Sequence, residues 1–479
     1  MNPADLQALL PILIVAGGAL LVMLVLSFKR SQTLSSLLTL LSLAAALASI
    51  PMAMSADADR IAPLLVIDSF GFFYQGLMLI LTMVVTIFAH SYLEKFRMER
   101  GEFYILLLLS LVGAIALAQA SHFVSLFLGI ELLSVSLYIM VGYIFTRAKA
   151  IEAAVKYLFL AAVTSAFLLF GMALIYARLG SMDFITIAHL LREHPLDDPY
   201  LLAGSVLMFV GIGFKLSVVP FHQWTPDIYQ GAPAPVTGYL ATVSKIAVMA
   251  VTLRFFYSMD LHQQPGIAAA LTLIAAASML VGNLLALFQD NVKRLLAYSS
   301  IAHIGYILVA FIAGGERGPE AVTFYLSIYS LALLAAFGVI AYLSPSDRDS
   351  DTIDHYRGLF WSRPWIAVAF SIALFSLIGL PLTAGFMGKL FLVSAGIQAE
   401  EWLLVIWLAA NSAIGLYYYL RIVIAMYQTS DDPQSEDSTA PPFALIIGTV
   451  IGLLVLSIVW FGLHPESLNL WIRALSTQP

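Results

Sequence analysis

Apolar residues run along this chain in blocks of about twenty, divided by short polar stretches. A bilayer-spanning helix needs about 20 predominantly apolar residues. About fourteen spans of that kind can be marked, at 6–28, 34–54, 70–92, 104–120, 123–145, 154–178, 201–230, 236–258, 267–288, 295–313, 320–343, 364–397, 402–427 and 442–463. The first run, Leu6 to Phe28, is too long for a signal-peptide core, lacks a positive stretch before it and is followed by Lys29-Arg30, so it reads as a first transmembrane helix. Two spans carry breakers. The seventh holds Gly211-Ile-Gly-Phe-Lys215-Leu-Ser-Val-Val-Pro220, and the twelfth holds Gly379-Leu-Pro381-Leu-Thr-Ala-Gly385-Phe-Met-Gly388-Lys389. Interrupted helices at corresponding places in two halves point to an ion site in an inverted-repeat transporter, because unwinding frees backbone groups.

The pattern predicts an all-α polytopic membrane protein with two inverted five-helix repeats and broken helices 7 and 12. Residues 1–103 would hold helices 1–3, 104–260 the first repeat, 261–430 the second, and 431–479 helix 14 and a tail. Composition agrees: 61% of the 479 residues are hydrophobic and only 11% charged, against roughly 25% charged in soluble domains. Zero cysteines exclude disulfides and cysteine-ligated iron–sulfur clusters on this chain. The net charge of −6 reads as loop charge, in residues such as Asp347, Asp349, Asp351 and Asp354, and no basic cluster suggests nucleic acid. With the N-terminus outside, twelve lysines and arginines fall on the cytoplasmic side and six on the other, and five of the 23 lie in the membrane. The positive-inside rule then places both termini outside.

Four of the eight lysines, Lys156, Lys215, Lys245 and Lys389, lie within apolar spans, with Glu131 the one carboxylate placed as deeply. Charges at that depth cost at least a few kcal/mol and usually mark ion paths, relays or pair sites. Glu131 is either a packing group hydrogen-bonded to a neighbouring helix or the partner of a deep lysine. Lys156 is the natural partner, although Glu152 four residues before it offers an ordinary i,i+4 pair. Lys215 stands beside a break and is the strongest single site, with Lys245 and Lys389 close behind. His303 reads equally as a proton relay or as a hydrogen-bonded core residue, and His222 as a group holding the broken helix. Asn283, Tyr298 and Asn411 read as polar links or interhelical hydrogen bonds. No phosphate-binding loop, complete GxGxxG or metal-spaced histidine pair is present, so any redox chemistry would take place on other chains.

The segment Gly282-Asn-Leu-Leu-Ala-Leu-Phe-Gln-Asp290-Asn-Val-Lys293-Arg294-Leu-Leu-Ala-Tyr298-Ser-Ser-Ile-Ala-His303-Ile-Gly-Tyr306 resembles the hallmark of the antiporter-like proton-translocating family. So does Lys215-Leu-Ser-Val-Val-Pro220-Phe-His-Gln-Trp224-Thr-Pro226-Asp227-Ile-Tyr-Gln-Gly231-Ala-Pro233. That family includes the three large membrane subunits of bacterial NADH–quinone oxidoreductase (respiratory complex I) and the Mrp-type sodium/proton antiporter subunits. The resemblance runs over essentially the whole chain. About fifteen residues follow the last span, which implies a member without the long lateral helix of one large subunit.

The resemblance implies a bacterial inner-membrane subunit. Its axis would comprise Glu131 as coupling glutamate, Lys156 as its partner, Lys215 at the break, Lys245 as connecting lysine, His303, and Lys389 facing the exit. A change of charge at a Glu131–Lys156 pair would bias Lys215, since unit charges about 4 Å apart interact by roughly 4 kcal/mol at an effective dielectric near 20. It also implies no cofactor on this chain, with NADH, FMN, iron–sulfur clusters and quinone on partner subunits, and contacts with neighbouring antiporter-like and small membrane subunits.

Overall fold

The computed structural model describes residues 3–56, 60–95, 101–193, 198–259, 265–315, 317–345, 348–429 and 444–475. A short α1 (Pro3–Ala8) leads into the three helices before the first repeat: α2 (Leu10–Phe28), α3 (Gln32–Met54) and α4 (Ser69–Glu94). Two-residue strands β1 (Arg60–Ile61) and β2 (Leu65–Val66) form a small antiparallel hairpin between α3 and α4. The first five-crossing unit follows. It comprises α5 (Glu102–Ala118), α6 (Phe123–Val141), α7 (Ala148–Leu179), the amphipathic α8 (Phe184–Glu193), a split seventh crossing of α9 (Pro199–Leu216) and α10 (Trp224–Gly231), and an eighth of α11 (Ala234–Ala241) and α12 (Val243–Ser258).

The second unit comprises α13 (Pro265–Leu287), α14 (Val292–Ala313), α15 (Arg317–Leu343), a one-turn α16 (Leu359–Ser362), a split twelfth crossing of α17 (Pro364–Ile378) and α18 (Ala384–Gln398), and α19 (Trp402–Tyr427). The chain then runs through α20 (Ala444–Leu463) to an amphipathic α21 (Pro465–Leu475). Among the described residues, twelve helices are long and apolar enough to cross a membrane. The seventeen-residue α5 and the α17–α18 pair bring the crossings to the fourteen expected. Five crossings separate the starts of the two units, so they run in opposite senses, and in each unit the fourth crossing is the broken one.

Local chemistry explains the breaks. α9 ends where Ser217 turns left-handed at φ 65°, and Pro220, which has no N–H, cannot resume the helical ladder. α17 ends at Gly379, φ 84°, a conformation glycine adopts without a Cβ penalty, and Pro381 follows. The twelfth crossing closes tightly behind its break, because a Cβ built on Gly385 would stand 1.8 Å from the carbonyl oxygen of Ser376. A third interruption, at Thr242 between α11 and α12 with ψ −78°, carries no proline signal. Around these breaks α11–α12, α14 and α15 are almost wholly enclosed, whereas α2, α3, α7 and α20 keep broad apolar faces open to lipid.

Asp349, read from the sequence as a loop charge, is buried, and so is Lys293. Asp349, between α15 and α16, is 5% exposed, and Lys293, on the first turn of α14, is 1% exposed. They pair at 2.6 Å, and Arg147 joins the same carboxylate at 2.9 Å. Tyr92 of α4, Arg147 at the start of α7 and Lys293 of α14 close on Asp349 and take it out of solvent. Lys95, just past α4, caps the end of α15 through the carbonyls of Ala341 (3.0 Å) and Ser344 (2.5 Å), where a cation suits the helix dipole.

Candidate functional site

Three of the four lysines, Lys215, Lys245 and Lys389, lie in the interior close to helix interruptions. Lys215 lies two residues before the left-handed Ser217 and is 4% exposed. Its ammonium donates to Ser134 Oγ on α6 at 2.5 Å and stands over the rings of Tyr138 and Tyr157 at 5.8 and 5.6 Å. Lys245, three residues past Thr242, is 1% exposed and donates to Ser300 Oγ on α14 at 2.5 Å. Lys389, on α18, reaches back across the twelfth-crossing break to the carbonyl of Ile378 at 2.7 Å and to Ser412 Oγ at 2.6 Å. In each case an interruption or a serine provides the oxygen that an unbroken helical backbone does not offer.

Hydroxyls and rings join these positions. Ser300 also accepts from the Tyr329 hydroxyl at 2.7 Å, and the Tyr229 hydroxyl approaches it at 3.5 Å. His303, one turn further along α14 and buried, bonds through Nδ1 to the Tyr325 hydroxyl at 2.8 Å and through Nε2 to that of Tyr419 at 3.3 Å. It lies within electrostatic reach of both Lys245 and Lys389. The ammonium of Lys389 sits 5.0 Å from the centre of the Tyr306 ring, whose hydroxyl accepts from Asn283 at 2.8 Å. Asn283 is therefore an interhelical link, whereas the amide of Asn411 donates within its own helix to Trp407. Lys245, His303 and Lys389 thus share one polar cluster around α14, and Lys215 sits against Ser134, Tyr138 and Tyr157 of α6 and α7.

Glu131 and Lys156 do not pair. The half-buried Glu131 accepts from Ser165 Oγ at 2.5 Å, whereas Lys156 binds Glu152 at 2.7 Å and Asp227 at 2.9 Å. Helix register explains the correction. The α7 residue level with Glu131 is Ser165, nine positions past Lys156; that is about 13.5 Å along the axis and, at 3.6 residues per turn, the opposite face. Lys156 is 43% exposed rather than deep. Glu131 instead stands within electrostatic reach of Lys215, on the same face of α6 as Ser134 one turn away.

Sequence reasoning passed over Asp227, although its motif was in view, and the serine and tyrosine hydroxyls that bridge the lysines. A helical carboxylate beside a proline carries no mark of the cations it will meet. Asp227 sits on α10 and takes Lys156 on one oxygen and Arg294 of α14, at 2.6 Å, on the other. Residues around it, including Lys149, Glu152 and Gln230, line a small polar cleft of about 90 Å³.

Comparison with known proteins agrees with this architecture. The profile of the NADH:quinone oxidoreductase/Mrp antiporter transmembrane family matches residues 120–415. A chain of respiratory complex I from Thermus thermophilus, solved with bound aureothin, is 32% identical; the alignment covers 96% of this chain and 98% of that one, with a TM-score of 0.81. Two more distant chains share the fold. One, from the membrane-bound sulfane sulfur reductase, an archaeal respiratory membrane complex, is 24% identical with a TM-score of 0.84, covering 98% of this chain and 97% of that one. The other, from the Mrp complex of a Dietzia species, is 20% identical with the same TM-score and coverage. The fourteen crossings, the paired breaks and this match leave one conclusion: the chain belongs to the NADH:quinone oxidoreductase/Mrp antiporter family of multi-pass membrane subunits.

Proposed function

We propose that the chain is subunit N of a bacterial proton-pumping NADH–quinone oxidoreductase and carries protons along a buried path, coupled to quinone reduction on other subunits. The observation that carries this reading is a set of three lysines, Lys215 and Lys245 enclosed and Lys389 half-buried, each beside a helix interruption and bonded to a neutral hydroxyl. Two features favour subunit N. The twelfth-crossing motif Gly379–Lys389 carries lysine where the related subunit M carries glutamate, and the identity is higher with the complex I chain than with the two more distant relatives. Glu131 acts on Lys215, which exchanges protons through Lys245 and His303 with Lys389. Residues 104–260 and 261–430 supply the two repeat units. NADH, FMN, iron–sulfur clusters and quinone belong to partner subunits, and the chain lies in the inner membrane with both termini on the periplasmic side.

A second reading, a subunit of an Mrp-type sodium/proton antiporter or of a ferredoxin- or plastoquinone-linked complex, draws on the shared fold. The test is NADH-driven proton pumping and NADH–quinone turnover in membrane vesicles, native against Lys215→Ala at matched assembly. Loss of pumping with turnover falling alongside is the expected result. Unchanged pumping and turnover would overturn the reading, and co-purification without flavin and iron–sulfur subunits would favour the antiporter.

A further inference from the structure

We propose that Asp227 is a positioning residue of proton translocation, gripping the inner half of the broken seventh crossing between α7 and α14 and so setting the packing against Lys215. The inference rests on the translocation function proposed above. Asp227 lies on the first turn of α10, and its two oxygens are divided between the two repeat units. Oδ2 accepts from Lys156 of α7 at 2.9 Å, and Oδ1 accepts from Arg294 of α14 at 2.6 Å. Arg294 also reaches Gln230 on α10 at 3.1 Å and Gln289 at 3.2 Å, so the guanidinium holds one side of α10 at two points. Close packing completes the grip, since a Cβ on Gly231 would stand 2.4 Å from the carbonyl oxygen of Lys149.

One turn before Asp227, the same short helix carries Trp224 to the lysine. The indole N–H donates to the carbonyl of Phe214 at 2.9 Å, the residue before Lys215. Its ring stacks on Tyr157 at 4.9 Å with 13° between planes, and the Lys215 ammonium sits 5.6 Å from the centre of that Tyr157 ring. Tyr157 follows Lys156 directly in the chain. A movement of α10 therefore reaches Lys215 by two routes, through Trp224 and through the Lys156–Tyr157 step. The charged groups facing Asp227 are Lys156, Glu152 and Lys149 on α7, which line the polar cleft, and Arg294 on α14. Asp227 and Lys156 are 37% and 43% exposed. Pairs that open to solvent contribute little to stability, which fits a positional role better than a stabilising one.

The experiment measures protons pumped per NADH oxidised across a pH series in inner-membrane vesicles, with assembly matched, for native protein and for Asp227→Asn, Asp227→Glu and Lys215→Ala. Loss of the carboxylate releases α10 and loosens the Trp224–Tyr157 packing against Lys215, so Asp227→Asn is expected to lower pumping about threefold or more and to move the pH profile by about 0.5 unit. Asp227→Glu, which restores the charge, is expected to stay within about twofold of native. A native yield and profile in the Asn variant would overturn the proposal, as would a loss that Glu does not rescue and that leaves the profile in place. If Asp227→Asn fails to assemble, Arg294→Gln removes the other side of the grip and carries the same expectation and the same overturning result. Lys215→Ala keeps the two levels apart. Unchanged pumping there sinks the translocation function itself, whereas loss there beside a native Asp227→Asn sinks this inference alone.

Discussion

Replacing Asp349 by asparagine keeps the side chain's size and removes its charge. The carboxylate is 5% exposed and takes Lys293 at 2.6 Å, Arg147 at 2.9 Å and the Tyr92 hydroxyl. Without that charge, the 1% exposed Lys293 ammonium is left with neutral acceptors such as the carbonyl of Ala232, at 2.5 Å. Breaking a buried pair from one side costs about 3–5 kcal/mol, because a desolvated charge is left uncompensated. In a chain of this length, where each kcal/mol moves the unfolding midpoint by only one or two degrees, that is a drop of roughly 5 °C. The assay is the thermal midpoint of the protein in nanodiscs. Asp349→Leu combined with Lys293→Met is expected to recover at least half the loss, since both buried charges then leave together. The pH dependence has a definite sign. Burial opposes ionisation of Asp349, but Lys293 and Arg147 outweigh it and hold the carboxyl below its ordinary value. Its stabilisation is thus complete above the unfolded carboxyl pKa, about 3.9, and is lost as pH falls through the lower folded value. Asp349→Asn abolishes that acid dependence. A midpoint within about 1 °C of native, or a double variant as unstable as the sum of its parts, would refute the reasoning.

Gly385→Ala places a Cβ 1.8 Å from the Ser376 carbonyl oxygen, so the two halves of the twelfth crossing must part by more than about 1 Å to reach ordinary contact. Lys389 spans that break to Ile378, and pumping in vesicles is expected to fall about tenfold, whereas Gly448→Ala, with open space around its Cβ, pumps at the native rate. Glu131→Gln is expected to lower pumping about tenfold and Lys156→Gln about threefold, because Glu131 stands within electrostatic reach of the enclosed Lys215 while Lys156 sits in an exposed pair. Equal losses in these two variants, or none for Glu131→Gln, would contradict the geometry.

The crossings were legible because each is a long apolar block, and both proline breaks were legible because proline and glycine act locally. The twelfth span was expected at 364–397 and is Pro364–Ile378 with Ala384–Gln398. The sixth starts earlier than its apolar stretch, at Ala148, because the helix continues through alanine-rich polar turns to Lys149 and Glu152. The Thr242 interruption left no signal, since nothing between Leu240 and Ile246 is a helix breaker. Partners were less legible than positions. Lys156 read as deep although it is 43% exposed, and its expected pairing with Glu131 depends on the relative height of α6 and α7, which the chain between them sets in three dimensions. Asp349 read as solvent-facing for the same reason: its burial is made by the packing of α4, α7 and α14 around it.

Two kinds of buried lysine emerge, and the difference bears on function. Lys293 faces a carboxylate, and a proton between an ammonium and a carboxylate in a dry site is held by full charge attraction. Lys215, Lys245 and Lys389 face Ser134, Ser300 and Ser412. A serine hydroxyl has lone pairs for an ammonium and a proton for a neutral amine, and it can rotate between the two roles. Ser134 accepts from Lys215 and donates to the carbonyl of Ile130, and rotating that hydroxyl would turn its proton toward a neutral amine. The carbonyl of Ile378 adds a second acceptor for Lys389 without adding charge. A neutral partner therefore tolerates both protonation states, whereas a carboxylate partner would favour one of them by several kcal/mol. The proton translocation proposed above would need the first kind along its path and a carboxylate only where a lysine's state is to be biased, the role proposed for Glu131 beside Lys215.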